Sequence, residues 1–215
     1  MAIPSTLRID ECHSGDCGYP LLQDFIARRY RDEHRATVRH FLPVLFGLHI
    51  DGQLQAAVGI HGAGRQPLFL EQYLDEPIEQ ALSAALQQPV RREDVVEVGN
   101  LATLVAGGGR WLILLITRQL HHLGWRYVVF TGTPQLYNGF RRLGLSPLRL
   151  AEADPERLGH ARHDWGSYYD NRPQVMAGSI NLGYDSLSQS PLLSRQLLDL
   201  PWPQRCGGIA LPMEG

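Results

Sequence analysis

Val95-Val96-Glu97-Val98-Gly99-Asn100-Leu101-Ala102 is followed by Gly107-Gly108-Gly109-Arg110, by the apolar run Trp111 to Ile116 and, past Gly124, by Tyr127-Val128-Val129-Phe130. Two short runs of this apolarity around a stretch of helical length read as buried strand, helix, buried strand. The spacing predicts strands over 95–98 and 127–130 and a helix over 110–123, with Gly124 as its left-handed terminator. A shorter helix over 134–143 follows, opened by Pro134 and closed by Gly144. Glycines just ahead of a helix let backbone N–H groups approach a phosphate, and the helix dipole favours negative charge there. Gly107, Gly108, Gly109 and Arg110 are therefore candidate phosphate contacts, against the plainer reading of a flexible connection. A dinucleotide fingerprint fails at Leu112, where a third glycine would stand, and no Gly-Lys-Ser/Thr follows.

One carboxylate interrupts the first strand. Alternation places Glu97 with Val95 and Gly99, on the face opposite Val96 and Val98. A buried carboxylate is costly unless it is paired or hydrogen-bonded. Two readings follow: a Glu paired with an arginine such as Arg65, or a general base raised toward neutrality by burial and able to deprotonate an attacking amine.

Working outward, Leu7 to Ile9 reads as a short strand and Gly18 to Arg35 as an amphipathic helix. Phe41 to Ile50 and Leu54 to His61 read as a hairpin hinged at Asp51-Gly52. Ile78 to Leu86 is a short helix and Leu148 to Leu150 a short strand. Beyond Asp154 the chain turns polar and rich in His and Trp, then in Pro, Gly and Ser. Residues 1–153 accordingly read as the core and 154–215 as an extension that packs on it or caps a cleft.

The 215 residues are 44% hydrophobic and 20% charged, which suits a single globular unit with a tail. All 20 basic residues are Arg, and 22 acidic ones leave a net charge of −2, a balance unsuited to duplex nucleic acid. The absence of Lys excludes Schiff-base chemistry and the phosphate-binding P-loop. Cys12, Cys17 and Cys206 are too few for a disulfide scaffold, and Cys12-His13 with Cys17 lacks a fourth ligand, so no metal site is expected. Met1 to Asp10 has neither the basic nor the apolar region of a signal peptide. The longest apolar run, six residues, is too short to span a bilayer. The expectation is a cytoplasmic protein with no membrane partner.

The order Gly107-x-Gly109, helix, strand, and a second helix ending Arg141-Arg142-Leu143-Gly144-Leu145 resembles the GNAT acyltransferase superfamily. That resemblance implies an α/β (α+β) fold: a mixed, mostly antiparallel central sheet, splayed between strands 4 and 5 and flanked by helices. It also implies that the Gly107–Gly109 loop, with Arg110, holds the pyrophosphate of a phosphopantetheine donor. Two positions depart from the pattern. Leu104 stands where a basic or amide residue is usual, and Phe140 where a catalytic Tyr is usual, with Tyr137 one turn earlier.

Three blocks, Leu68 to Asp75, Glu97 to Ala102 and Trp165-Gly166-Ser167-Tyr168-Tyr169, resemble the thermostable hemolysin family over roughly residues 20–180. The placement of Glu97 after an insertion containing Glu71 is also similar to acyl-homoserine-lactone synthases and N-acyl amino acid synthases. These resemblances imply an N-acyltransferase, moving an acyl group from coenzyme A or an acyl carrier protein to a small-molecule amine in biosynthesis. No tightly bound cofactor is implied. Glu97 would be the base, Asn100 would hold the amine or the acyl carbonyl, and Tyr137 would protonate the leaving thiolate. Glu71 and Tyr73, which share a face if extended, would contact substrate with Leu101, Thr103 and Trp165. The alternatives are an ion pair for Glu71, a loop cap for Asn100, core packing for Tyr137 and an aromatic anchor for Trp165. His61 is a second candidate base. Arg28, Arg31 and Arg35 form a candidate docking patch for an acidic carrier protein, or simply a solvated helix face. Two other functions stay open: the membrane-active haemolysin of the family's name, and an inactive fold that binds acyl thioesters.

Overall fold

Asp51 and Gly52 both adopt left-handed backbone, with φ of 50° and 79°. That is the conformation of a tight two-residue turn, and it joins β2 (Val44–Ile50) to β3 (Gln53–Gly62) as an antiparallel hairpin. The structure is a computed structural model that describes residues 6–64, 66–104 and 108–207. On the hairpin's outer side lies β1 (Leu7–His13), antiparallel to β2. On its inner side β4 (Val95–Thr103) runs antiparallel to β3. The chain then forms α3 (Gly108–His122) and returns as β5 (Tyr127–Gly132), parallel to β4.

Two further strands complete this half. β6 (Leu148–Glu152) does not pair with β5; β7 (Gln174–Ser179) inserts between them, antiparallel to both. The 154–215 stretch thus contributes a strand to the same sheet as 1–153. A two-residue β8 (Gln204–Arg205) lies parallel to β1, and the eight-stranded order is β6-β7-β5-β4-β3-β2-β1-β8.

Alternation along the strands sorts the core into layers. Val96, Val98 and Phe130 pack with α3, α5 (Ile180–Gln189) and α6 (Pro191–Asp199). Val95, Tyr127 and Val129 face the other way, onto Leu70, Tyr73 and α2 (Ile78–Leu86). α1 (Tyr19–His34) covers that second face farther along, with Leu22, Phe25 and Ile26 against Leu45, Ala57 and Ala102. α4 (Pro134–Arg142) follows β5, its first turn capped by the Thr133 hydroxyl.

Three readings need correction. The hairpin's first strand begins at Val44 rather than Phe41, because the backbone at His40 and Leu42 is hydrogen-bonded to the Asn100 side chain instead of to β3. Phe69–Tyr73 is a 3-10 helix, so Glu71 and Tyr73 do not share an extended face. Cys12 and Cys206 form a disulfide that fixes the end of the described chain to β1, while Cys17 is free and exposed. Spacing alone could not reveal it: the two cysteines are 194 residues apart and meet only because β8 runs beside β1.

Candidate active site

β4 and β5 are paired only where Val95 to Val98 lie beside Tyr127 to Phe130. Beyond that point the strands diverge. Gly99 is opposite Gly59 and Ala102 opposite Ala57, so Asn100 and Leu101 together face the single residue Val58. The extra residue is a β-bulge, which bends a strand and sharpens its twist. Asn100 takes φ of 51°, a left-handed conformation that Asn tolerates better than most residues. Its Oδ1 accepts from the Leu42 N–H at 2.8 Å and its Nδ2 donates to the His40 carbonyl at 3.0 Å. Asn100 therefore shapes the cleft and locks the 40–42 segment beside it.

Two cavities meet at the splay. One, of about 320 Å³, runs between the sheet and α3, α4 and α5, lined by apolar residues such as Leu112, Ile116 and Phe140. The other, of about 50 Å³, lies on the Glu97 face among Phe69, Tyr73, Trp165 and Tyr168. Tyr30, Val98, Gly99, Asn100 and Thr131 line both. The Thr131 hydroxyl is buried there without a hydrogen-bond partner. It is therefore free to bond a group that enters either cavity. Sequence reading missed Thr131 and Tyr30. The available signal for Thr131 was alternation, which carries the Tyr127 and Val129 face on to it.

Glu97 is 4% exposed. Its Oε2 accepts from the Phe69 N–H at 2.8 Å and its Oε1 from the Leu70 N–H at 3.1 Å. Burial pushes the carboxyl up to about 7, against the pull of those two donors. A carboxylate at that value exchanges a proton near neutral pH, as a general base must. His61 is in register with Glu97 on β3, and burial with the Arg92 charge lowers it, favouring neutral imidazole.

The turn that grips Glu97 is itself braced. Glu71 accepts from the Leu68 and Ile78 N–H groups and from both terminal nitrogens of Arg92 at 2.6 and 2.7 Å. Burial pushes Glu71 up, but these bonds together hold it below the usual carboxylate value. Its carboxylate is thus committed to the loop. The Tyr73 hydroxyl bonds that of Tyr169, and Arg157 ties the far end of the turn through the carbonyls of Gln72 and Leu74. The segment carrying Trp165 and Tyr168 is strapped to α1, with Ser167 N–H on the His34 carbonyl and Arg39 on Asp164.

The other expected residues are more scattered. Leu101 lines the larger cavity, whereas the Thr103 carbonyl accepts from Arg29 Nε at 2.8 Å. Tyr137 packs under the Arg149 guanidinium, 4.6 Å from its ring centroid, and lines neither cavity; Phe140 does. Gly108 and Gly109 open α3, and Gly107 lies outside the described residues, as does Arg65. Arg110 bonds Gln196 of α6 at 2.6 Å. Among the described residues no cluster of His, Cys, Asp and Glu is arranged for a metal, and no helix is long and apolar enough to cross a membrane.

Residues 13–184 match the thermostable hemolysin family. The chain belongs to that family. No curated protein matches this thermostable hemolysin family member in sequence. Among solved structures it is similar to FeeM, an N-acyl amino acid synthase from uncultured soil microbes, at TM-score 0.56 and 15% identity, covering 88% of this chain and 99% of that one. It is also similar to BjaI, a coenzyme A-dependent acyl-homoserine lactone synthase determined with S-adenosylmethionine and isopentyl-coenzyme A. That match has TM-score 0.61 and 12% identity over 96% of each chain. The acyl-homoserine-lactone synthase LasI matches at TM-score 0.54 and 12% identity, over 82% of this chain and 90% of that one. At such identities the likeness is one of fold: this family member has the GNAT-like open sheet of those synthases.

Proposed function

We propose that this protein is an N-acyltransferase that moves an acyl group from a phosphopantetheine thioester to an amine. The observation that carries the reading is the meeting of an apolar cavity and a Glu97-bearing cavity at a wall that holds an unpartnered hydroxyl. The acyl chain lies in the larger cavity. At about 30 Å³ per water-sized group, its volume of about 320 Å³ takes on the order of ten carbons. The thioester carbonyl sits at the shared wall, where the Thr131 hydroxyl donates to the oxygen as negative charge develops there. Glu97 takes a proton from the ammonium and passes it to solvent, the amine nitrogen attacks the carbonyl carbon, and as the C–S bond breaks the nitrogen gives up a second proton to Glu97. The thiolate leaves and is protonated from solvent, since Tyr137 lines neither cavity.

The donor arm enters over the α3 N-terminus at Gly108 and Gly109, a natural anion site. Exposed Arg28 and Arg31 lie on α1, which also carries Tyr30 into the cleft, and exposed Arg35 caps its end. They give an acidic carrier protein a place to dock. Glu71 serves as a positioning residue for the turn that holds Glu97.

The test is thiol release and mass-resolved N-acyl product from purified protein with acyl-coenzyme A or acyl-carrier protein and a mixture of amines. Each donor is also screened by melting temperature. Saturating donor at about 100 times its Kd adds about 2.7 kcal/mol, or about 5–10 °C for a chain of this size. No turnover and no shift with any donor would overturn the reading. Dye release from liposomes by protein alone would then favour the haemolysin.

A further inference from the structure

The smaller cavity fixes the chemistry of the acyl acceptor, given the acyltransferase reading above. Its volume of about 50 Å³ is less than twice the roughly 30 Å³ that one water occupies. It holds a –CH₂–NH₃⁺ group and little more. Its walls are aromatic from several directions. The Trp165 ring centroid lies 6.1 Å from that of Tyr30, 5.7 Å from Phe69 and 5.4 Å from Tyr168. His40 stacks on Phe69 at 5.0 Å and is itself exposed, so it marks the mouth. These rings pack on one another and line the cavity, giving an ammonium group an aromatic wall. At the floor stands Glu97, positioned by the Phe69 and Leu70 N–H groups to receive a proton from that cation.

Among the described residues lining the cavity none is Arg, and its one carboxylate is Glu97. Two guanidiniums of the surrounding segments are already committed, Arg92 to Glu71 and Glu79 and Arg39 to Asp164. An acceptor with a carboxylate on the carbon beside its nitrogen would bury that charge without a partner and within reach of Glu97, which is strongly unfavourable.

We propose that the acceptor is an unbranched primary alkylamine without an adjacent carboxylate, its ammonium head boxed by Tyr30, Phe69, Trp165 and Tyr168 against Glu97 and its remaining chain leaving past His40. The step balances as written. The ammonium gives a proton to Glu97, the amine replaces sulfur on the acyl carbon, and the products are an N-alkyl amide, a thiol and one proton returned to solvent.

The experiment supplies one donor that shifts the melting temperature and compares acceptor pairs that differ only in a carboxylate: tyramine with tyrosine, and n-pentylamine with norleucine. The expected result is at least a tenfold higher kcat/KM for the amine of each pair. Trp165→Leu should raise the amine KM several-fold and leave the donor-induced melting shift intact. Acylation of tyrosine or norleucine as efficiently as the matching amine would overturn the acceptor class while leaving the acyltransferase reading standing. An unchanged amine KM in Trp165→Leu would overturn the aromatic box. Failure of all four acceptors with a donor that binds would sink the acceptor class too, whereas failure of every donor to bind is failure of the acyltransferase reading itself.

Discussion

Replacing Glu97 by Gln removes the charge that burial makes costly and keeps an oxygen for the turn's N–H groups. In the folded chain the carboxyl stands at about 7 instead of its ordinary 4.5. At about 1.36 kcal/mol per pKa unit, that difference is worth about 3 kcal/mol. The sign follows from linkage: a carboxyl whose folded pKa is raised contributes its full stability below about 4.5 and loses it as pH rises through about 7. Urea unfolding of wild type and Glu97→Gln from pH 4 to 9 should therefore show the wild type losing about 3 kcal/mol relative to the variant. Most of that loss falls between pH 4.5 and 7, and the difference levels off above. In melting temperature it is about 6–12 °C for a chain of this length. In parallel, wild-type kcat/KM should climb with pH to a plateau above about 7, while the variant turns over at least a hundredfold more slowly. A stability difference that does not change with pH, or one that grows in the wild type's favour as pH rises, would refute the claim that Glu97 is held near neutrality by burial.

Thr131→Val keeps the shape of the side chain and removes the free hydroxyl, so kcat should fall about 10- to 100-fold with the melting temperature unchanged or slightly higher. Gly166 has φ of 51°, and a Cβ there would run into the His34 carbonyl oxygen. Gly166→Ala should therefore lower the melting temperature by several degrees, by about 2 kcal/mol of strain, and loosen the segment that carries Trp165. Gly183 lies inside α5 and lines the larger cavity, with ordinary contact distance to Leu145 and Thr117 for an added methyl. Gly183→Ala should hold or raise stability, by about 0.5–1 kcal/mol from helix propensity, and shorten the best acyl chain by one or two carbons in a chain-length series. Arg92→Met strips Glu71 and Glu79 of their partner and should cost about 2 kcal/mol, read as a lower urea midpoint.

The unit from β4 through α4 was legible because it is locally specified: β-branched runs, a glycine stop at Gly124 with φ of 80°, and proline openings. Glu97 stood out because a carboxylate in a run of valines has few benign explanations, and alternation placed it on the correct face. What escaped depends on partners far along the chain. Nothing in Gln174 to Ser179 announces that it will pair with both β5 and β6. Leu68 to Tyr73 lacks a clear period, and it coils into a 3-10 helix because Glu71, Glu97 and Arg92 all take hold of its backbone or its neighbours. Tyr137 was drawn toward the site by its spacing on α4, but the helix turns Leu136 and Phe140 to the cavity and Tyr137 toward Arg149.

The bulge at Asn100 gives this sheet a margin in its middle. From Gly99 to Ala102, β4 has no ladder partner on the β5 side, so its backbone carries donors and acceptors toward a gap between two strands of the same sheet. An open margin at the outside of a sheet invites a neighbouring chain to add on. Here the open margin lies inside the sheet, where a linear group carrying amides could meet it. Under the acyltransferase proposal a pantetheine arm would be that group, a temporary ninth strand inserted where folding left the ladder incomplete.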